Sequence, residues 1–149
     1  MDLTWTYKNF EQLTVKELYT ILQLRNEVFI VEQNCVYQDV DNKDYKSFHL
    51  MAFDGDNLAA YCRIIPPGTS FEEASIGRVI TSPNYRGKGI GITLLEKAIR
   101  EAEITFNINQ LKIGAQLYLK KFYESFGFVQ TSEVYLEDGI AHIDMLLSK

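Results

Sequence analysis

The loop Arg86–Gly91, with the sequence RGKGIG, has the residue types that bind a small anion. Its three glycines lack Cβ atoms, so their backbone amides can approach and converge on one phosphate group. Arg86 and Lys88 add positive charge. A helix that begins in the loop would add the positive end of its dipole, because its first amides have no partners within the helix. The loop therefore predicts a phosphate-binding site.

Two well-known nucleotide-binding loops do not fit this spacing. A P-loop has four residues between its glycines and ends in Lys followed by Ser or Thr, whereas Lys88 is followed directly by Gly89. A dinucleotide fingerprint has the spacing GxGxxG, whereas the spacing here is GxGxG. A glycine-rich turn that only joins a strand to a helix is a further alternative, which the two adjoining cations make less favoured.

The charge balance favours a small anionic ligand over a nucleic acid. The chain has 15 Lys and Arg against 20 Asp and Glu, so its formal net charge is −5. A surface that binds nucleic acid through its phosphates is expected to be basic instead. Between Arg78 and Gly91, however, there are three cations and no acid. Positive charge is thus concentrated around the loop.

The patterns around the loop predict a mixed α/β fold. Strand-like runs cover residues 3–7, 47–53, 58–65, 75–81, 110–115, 128–136 and 140–147, with turn-rich connections at 54–57 and 137–139 that predict two hairpins. A first helix begins at a capping box formed by Thr14 and Glu17, and its apolar stripe extends to Phe29. Two more helices cover 89 to about 104 and 117–126. With no repeat or linker, we predict one domain, 1–149, with about seven strands.

Several side chains have a structural interpretation beside a functional one. Arg25 falls on the apolar stripe of the first helix, where it is either a snorkelling or paired cation or a site residue. His49 is interpreted as structural. Cys35 and Cys62 are too few and too far apart for a disulfide framework or a zinc site. No local base activates either thiol as an acyl-carrying nucleophile.

The sequence also bears on where the protein acts. Its first residues, MDLTWTYKNF, lack the cationic flank and apolar stretch of a targeting segment. No run approaches the roughly 18 apolar residues of a membrane span. We therefore expect a cytoplasmic protein that binds neither a membrane nor nucleic acid.

The order of these segments resembles the GNAT family of acetyl-CoA-dependent N-acetyltransferases, and more narrowly its ElaA-like branch. The resemblance is carried by VFIVEQNCVYQDVD, IGRVI, the loop, AQLYLKKFYESFGF and EVYLEDGIAHIDM, which are spread over almost the whole chain. It implies a single α+β domain with a largely antiparallel, splayed central sheet flanked by helices. It also implies transfer of acetyl from acetyl-CoA to a primary amine, by direct attack in a ternary complex and without a metal.

The resemblance further implies which residues bind acetyl-CoA. The backbone of Val79, Ile80 and Thr81 would pair with the pantetheine and the acetyl carbonyl. Gln116 stands where many members have an asparagine that touches the pantetheine. A β-bulge is one way in which such a strand could open. The pyrophosphate would lie on Arg86, Gly87, Lys88, Gly89, Ile90 and Gly91.

Acetyl transfer needs a base for the attacking amine and an acid for the departing thiolate. The resemblance implies that Tyr123 is the acid, although Tyr123 also fits the apolar stripe of its helix as a core residue. Glu32 is a candidate base, with an exposed helix-end glutamate as the alternative. His142 is a second candidate, which Asp144 on the same strand face would orient, with cross-strand pairing as the alternative.

The acceptor is expected to be a small-molecule or peptide amine, and polyamine, amino acid, antibiotic and protein terminus all remain open. Val36 and Ala141 stand where the branch usually has proline, so specificity is not transferred from relatives. The alternative function is a non-catalytic acyl-CoA-binding or sensing module. A phosphate-loop nucleotide binder is disfavoured by the spacing. Dimers are common in the family, so a homodimer is a further expectation.

Overall fold

The computed structural model describes residues 2–149, and the first part of the chain builds a four-stranded antiparallel sheet. Its strands, in spatial order, are β1 (Thr4–Asn9), β2 (Phe48–Asp54), β3 (Asn57–Ile65) and β4 (Ser75–Thr81). The predicted hairpin joins β2 and β3, and Gly55 takes φ +60 in its turn. The predicted strands of this half are therefore confirmed to within about two residues.

Two helices cover the two faces of this sheet. α1 (Val15–Arg25) packs in one apolar cluster with Met51 of β2. α2 (Ile90–Phe106) packs in another with Leu50 and Ala52, the neighbours of Met51. Because successive strand residues point to opposite faces, the two helices lie on opposite sides of the sheet.

The ends of the helices agree only in part with the sequence pattern. The capping box at Thr14 and Glu17 is present, with side chain to backbone hydrogen bonds of 2.9 and 3.0 Å. After Arg25 the helix widens into a π-helix, Asn26–Glu32, instead of continuing in regular form. Such turns are rare and are frequent at functional sites. The helix predicted at 117–126 is a 3₁₀ turn followed by the short α3 (Lys120–Glu124).

The C-terminal part of the chain forms a second antiparallel sheet with its last strand at the centre. The strands are β5 (Gln110–Gln116), β6 (Val129–Gln130), β7 (Tyr135–Glu137) and β8 (Ile140–Ser148), with β5 on one side of β8 and both short strands on the other. The prediction of one strand over 128–136 was wrong. The chain leaves the ladder there, and Ser132 Oγ accepts a hydrogen bond from the backbone N–H of Asp144 at 2.9 Å. The described residues form eight named strands, against about seven predicted.

The two sheets meet at the start of β4 and then separate. Ala74, just before β4, forms a parallel bridge with Leu111 on β5, and its carbonyl accepts a hydrogen bond from the N–H of Lys112 at 3.0 Å. Beyond this point β4 and β5 belong to different sheets. The predicted splayed, largely antiparallel architecture is confirmed.

A β-bulge bends β4 where the sheets separate. Two residues of β4, Arg78 and Val79, lie opposite the single residue Cys62 of β3. Arg78 has φ +49, in the left-handed region that residues with a Cβ rarely adopt. The bulge therefore bends β4 at the point where it separates from β5.

Some expectations concern the chain as a whole. None of the helices formed by residues 2–149 is long and apolar enough to cross a membrane. In the same range, no group of three or more His, Cys, Asp and Glu residues is placed to hold a metal ion.

Cys62 is fully buried, and its burial raises the pKa of the thiol well above the usual range. A thiol in this state is a poor nucleophile.

Candidate active site

A cavity of about 800 Å³ occupies the gap between the two sheets. Its walls come from the bulged part of β4, the end of β5, the π-helix and the hairpin of β7 and β8. The predicted site residues that line it are Glu32, Val79, Arg86, Gln116, Tyr123 and His142. The fold therefore brings the three predicted catalytic residues together with three of the predicted cofactor residues.

The other predicted cofactor residues lie outside the cavity wall. The side chain of Ile80 is 2% exposed and packs with the α1 cluster, so it can offer a ligand only its backbone. Thr81 ends β4, and its carbonyl accepts a hydrogen bond from Arg86 Nε at 3.2 Å. The turn and the first residues of α2 contain Gly87, Lys88, Gly89, Ile90 and Gly91.

The Arg86–Gly91 loop has the backbone geometry of an anion site. Gly87 and Gly89 have φ +78 and +76, values that glycine adopts without steric cost. Apart from the two chain neighbours of each glycine, no atom of residues 2–149 lies within 4 Å of a Cβ built at either position, so the space beside both is open. Gly89 is the N-cap of α2, where no side chain among residues 2–149 caps the helix and the first turn has no acid. The first amides of α2 are therefore available to an anion.

Glu32, a predicted base, is paired with Arg86, a predicted pyrophosphate ligand. Both terminal nitrogens of Arg86 donate to the Glu32 carboxylate at 2.7 Å. These hydrogen bonds hold the pKa of Glu32 below its usual range. A carboxylate stabilised in this way is a weaker base than a free one, and Arg86 is occupied while the pair persists.

The next residue of the same segment approaches a second predicted cofactor residue. The side-chain amides of Gln33 and Gln116 face each other, with both nitrogen to oxygen distances at 3.5 Å. The end of the π-helix thus contacts Arg86 on one side of the cavity and Gln116 on the other. These contacts join residues 54 and 83 positions apart, which local sequence patterns do not reveal.

Tyr123 belongs to the core and also reaches the cavity. It is 6% exposed, and its ring packs edge-on against Phe122 and Phe128 at centroid distances of 5.3 and 6.0 Å. Among residues 2–149, no hydrogen-bond partner of its hydroxyl is found. Burial raises the pKa of this hydroxyl well above its usual range. The group is therefore a protonated donor at neutral pH, held rigidly at the cavity wall.

His142 presents one fixed and one basic ring nitrogen. Its Nδ1 lies 2.7 Å from the carbonyl oxygen of Ile140, which only accepts, so Nδ1 carries a proton. Nε2 lies 3.4 Å from a carboxylate oxygen of Glu137, and the ring stacks on Tyr135 at 6.0 Å. In the neutral ring Nε2 is therefore the nitrogen that can accept a proton.

The sequence predicts Asp144 as the carboxylate that orients His142, and this prediction was wrong. The carboxylate beside His142 is that of Glu137. Asp144 instead accepts a hydrogen bond from the Tyr135 hydroxyl at 2.7 Å. Sequence reasoning assigned Glu137 only to a turn. Its role follows from the register of the hairpin, in which Tyr135 pairs with His142 and Glu137 with Ile140.

A network of three arginines and three aspartates lies beside the cavity. Its members are Arg25, Asp39, Asp41, Asp44, Arg63 and Arg78. Arg25 is fully buried, with nitrogen to oxygen distances of 2.9 Å to Asp39 and 2.7 Å to Asp44. The charges are equal in number, which offsets the cost of removing them from water. Arg25 is therefore a buried, paired cation, which is one of the interpretations that the sequence left open.

His49 adjoins this network and is buried, in agreement with its structural interpretation. Its Nδ1 lies 2.7 Å from the Tyr61 hydroxyl, and its Nε2 lies 3.1 Å from the carbonyl oxygen of Asp44. Burial lowers the pKa of His49, because the charged ring would lose its hydration. The folded protein therefore holds this ring neutral to a lower pH than the unfolded chain does.

Stability is expected to fall as the pH decreases below about 6.5. The unfolded chain takes up a proton at His49 near that pH, whereas the folded protein takes it up only at lower pH, so protonation favours unfolding. Urea denaturation between about pH 5 and pH 7.5 measures the free energy of unfolding over this window. The His49→Gln variant should have a flatter pH dependence. An equal slope in both proteins would contradict the assignment.

Comparison with known sequences matches the chain over most of its length. Residues 11–149 fit the model of the acetyltransferase (GNAT) domain. Protein ElaA of Escherichia coli (strain K12) is 41% identical over 145 residues, which cover 96% of this chain and 95% of that protein. A UPF0039 protein of Schizosaccharomyces pombe is 40% identical over 148 residues, or 98% and 97% of the two chains.

Solved structures match the architecture equally well. An acyl-CoA N-acyltransferase from Pseudomonas aeruginosa is 44% identical with a TM-score of 0.94, over 99% of this chain and 100% of that chain. Escherichia coli ElaA is 40% identical with a TM-score of 0.93, at the same coverage. An aminoglycoside 6'-N-acetyltransferase complexed with coenzyme A is 14% identical with a TM-score of 0.71, which is a likeness of fold alone.

Proposed function

Because the chain belongs to the GNAT acetyltransferase family, we propose that it transfers an acetyl group from acetyl-CoA to a primary amine by direct attack in a ternary complex. Acyl transfer from a CoA thioester is the reaction of this family. The observation that carries the choice of donor is the uncapped start of α2 in the Arg86–Gly91 loop. It offers free amides to a pyrophosphate, with Lys88 beside them and with Arg86 once that side chain is released from Glu32. Acetyl-CoA supplies a thioester whose carbonyl is open to attack.

The open edge of β4 suits the remainder of the donor. Beyond the bulge, none of residues 2–149 forms a strand partner on the side of β4 that faces β5. In our proposal the backbone of Val79, Ile80 and Thr81 pairs there with the amides of the pantetheine. Gln116, at the end of β5, contacts the same arm from the facing side.

Two cavity residues supply the proton transfers. A charged acceptor first loses one proton to solvent, and His142 Nε2 takes a second proton from the nitrogen as it bonds to the thioester carbon. Glu137, 3.4 Å away, stabilises the imidazolium that results, and the bond between the acetyl carbon and sulfur then breaks. The Tyr123 hydroxyl is protonated and has no hydrogen-bond partner among residues 2–149, so it donates its proton to the departing sulfur. The imidazolium proton returns to the phenolate through solvent. Glu32 is the second candidate base, and it requires release from Arg86 first.

The acceptor is a small-molecule or peptide amine that approaches from the side of the β7–β8 hairpin. Glu137, Asp138 and Asp144 line this side of the cavity. None of the ion pairs formed by residues 2–149 joins these acids to Lys or Arg. The opposite wall is different, because its arginines are neutralised within the network. A positively charged amine is therefore favoured.

A two-part experiment tests the proposal. Calorimetry with purified protein should detect binding of acetyl-CoA, and release of CoA thiol over a broad panel of amines should identify an acceptor. No binding at millimolar acetyl-CoA would reject the proposal. Binding without turnover on any amine would favour an acyl-CoA-sensing module instead.

Glu32→Gln is expected to tighten acetyl-CoA binding by about 1.5- to 5-fold. The substitution breaks the exposed ion pair with Arg86, so that Arg86 can contact a phosphate of the donor. Such a pair contributes about 0.2–1 kcal/mol, which corresponds to this change in affinity. Calorimetry at low ionic strength measures the change. Glu103→Gln is the matched control, since it breaks an exposed pair with Lys149 near the far end of α2. Unchanged or weaker binding in Glu32→Gln would mean that Glu32 does not compete with the donor for Arg86.

A further inference from the structure

Arg78 has an unusual backbone conformation for a strand residue. It lies in the bulge of β4 with φ +49. A side chain with a Cβ is disfavoured in this region by its contact with the following carbonyl, which is why glycine usually occupies such positions. Something in the structure must therefore hold Arg78 in place.

The side chain of Arg78 is fixed by the loop that follows the π-helix. Its Nε lies 2.8 Å from Asp39 Oδ1 in an ion pair whose N–H direction is too bent for a hydrogen bond. Its terminal nitrogen donates to the carbonyl of Asp39 at 3.0 Å and approaches Asp41 at 3.4 Å. The guanidinium also lies 5.7 Å from the centre of the Tyr37 ring. One side chain is thus held by three residues of one loop.

The loop itself is anchored by the other two arginines. Arg25 donates to both the carboxylate and the carbonyl of Asp39, at 2.9 and 3.0 Å. Arg63 donates to both carboxylate oxygens of Asp41, at 2.8 and 2.7 Å. Arg25 and Arg63 are 0% and 2% exposed, and the Asp41 side chain is 23% exposed, so the contacts of Arg25 are shielded from solvent and those of Arg63 are partly shielded. The two aspartates are therefore rigid supports for Arg78.

We infer that Arg78 is a positioning residue, whose clamping by Asp39 and Asp41 keeps β4 bulged and its backbone turned toward the donor. This rests on the proposed function, in which Val79 and the residues after it pair with the pantetheine. The clamp links the wall formed by the loop to the strand that binds the donor. It also gives the buried arginine–aspartate network a role beyond stability.

Arg78→Ala and Arg78→Gly separate this role from direct contact with a ligand. Both remove the clamp, but only alanine retains the steric penalty at φ +49. Each aspartate keeps another arginine in both variants, so the fold should persist. We expect Arg78→Ala to bind acetyl-CoA about 5- to 30-fold more weakly. Without the clamp, the steric penalty of the left-handed conformation lowers the fraction of molecules in which β4 is bulged by that factor. Arg78→Gly should stay within about 3-fold of the native protein.

Equal weakening in both variants would mean that the guanidinium contacts the donor, and no weakening in either would mean that the bulge needs no clamp. Either result overturns the inference. Thermal unfolding adds a readout that does not depend on acetyl-CoA. Glycine should be the more stable variant here, whereas alanine is the more stable at an ordinary strand position. An Arg78→Ala protein more stable than Arg78→Gly would also overturn the inference. A native protein that binds no acetyl-CoA would instead reject the proposed function.

Discussion

Gly89→Asp is expected to lower the affinity for acetyl-CoA by about 100-fold or more. The substitution adds a carboxylate at the N-cap of α2, where the proposed pyrophosphate lies. Two like charges about 4 Å apart near a protein surface repel by ~4 kcal/mol, and each ~1.4 kcal/mol is tenfold in affinity. The side chain must also adopt φ +76, which adds strain to the loop. Calorimetry with acetyl-CoA measures the loss directly.

Gly68→Asp is the matched control for this variant. Gly68 has φ +81, and apart from its chain neighbours no atom of residues 2–149 lies within 4 Å of a Cβ built there, so aspartate at this position meets the same strain and the same open surroundings. It precedes β4, whereas the loop follows β4, so the length of the strand separates the two sites. Its affinity for acetyl-CoA should be nearly native. A folded Gly89→Asp protein with an unchanged dissociation constant would remove the pyrophosphate from this loop.

The loop could be predicted from sequence because its information is local. Glycine spacing, two cations and the start of an apolar stripe all lie within a few residues of Gly89. The capping box at Thr14 is local in the same sense. The splay of the sheets could be predicted only from the family resemblance, since no periodicity within β4 indicates which edge of the strand stays unpaired.

The polar contacts of the site could not be predicted, because they depend on tertiary structure. Arg25 could be recognised as an anomaly on an apolar stripe, but its partners lie 14 and 19 residues further along the chain. The pairing of Glu32 with Arg86 spans 54 residues. Such contacts exist only after the sheets and helices have packed.

The two local errors have physical causes as well. The run 128–136 has strand-forming residues near both ends, namely Phe128, Val129, Val134 and Tyr135, yet the Ser132 hydroxyl accepts a hydrogen bond from the backbone of Asp144 and the ladder is interrupted there. The assignment of Asp144 to His142 followed from their shared strand face. Tyr135 reaches Asp144 first from the neighbouring strand, which leaves Glu137 as the carboxylate near the imidazole.

Tyr123→Phe is expected to reduce turnover by about 100-fold or more, with acetyl-CoA binding changed by less than about 3-fold. Phenylalanine keeps the ring and its edge-on packing with Phe122 and Phe128, so the core should be preserved. Only the hydroxyl is lost, and this hydroxyl has no other partner to satisfy among residues 2–149. The departing thiolate would then lack its proton donor. Single-turnover kinetics and calorimetry separate the two effects.

Tyr7→Phe is the control for the general loss of a half-buried tyrosine hydroxyl. Tyr7 bonds Thr105 at 2.7 Å, and burial raises its pKa to about 12, but it does not line the cavity. Its turnover should remain near native even if its stability falls. Equal turnover in Tyr123→Phe and the native protein would return Tyr123 to a purely structural role. A proportional loss of donor affinity would instead mean that its hydroxyl binds acetyl-CoA in the ground state, because an interaction made only in the transition state leaves binding intact.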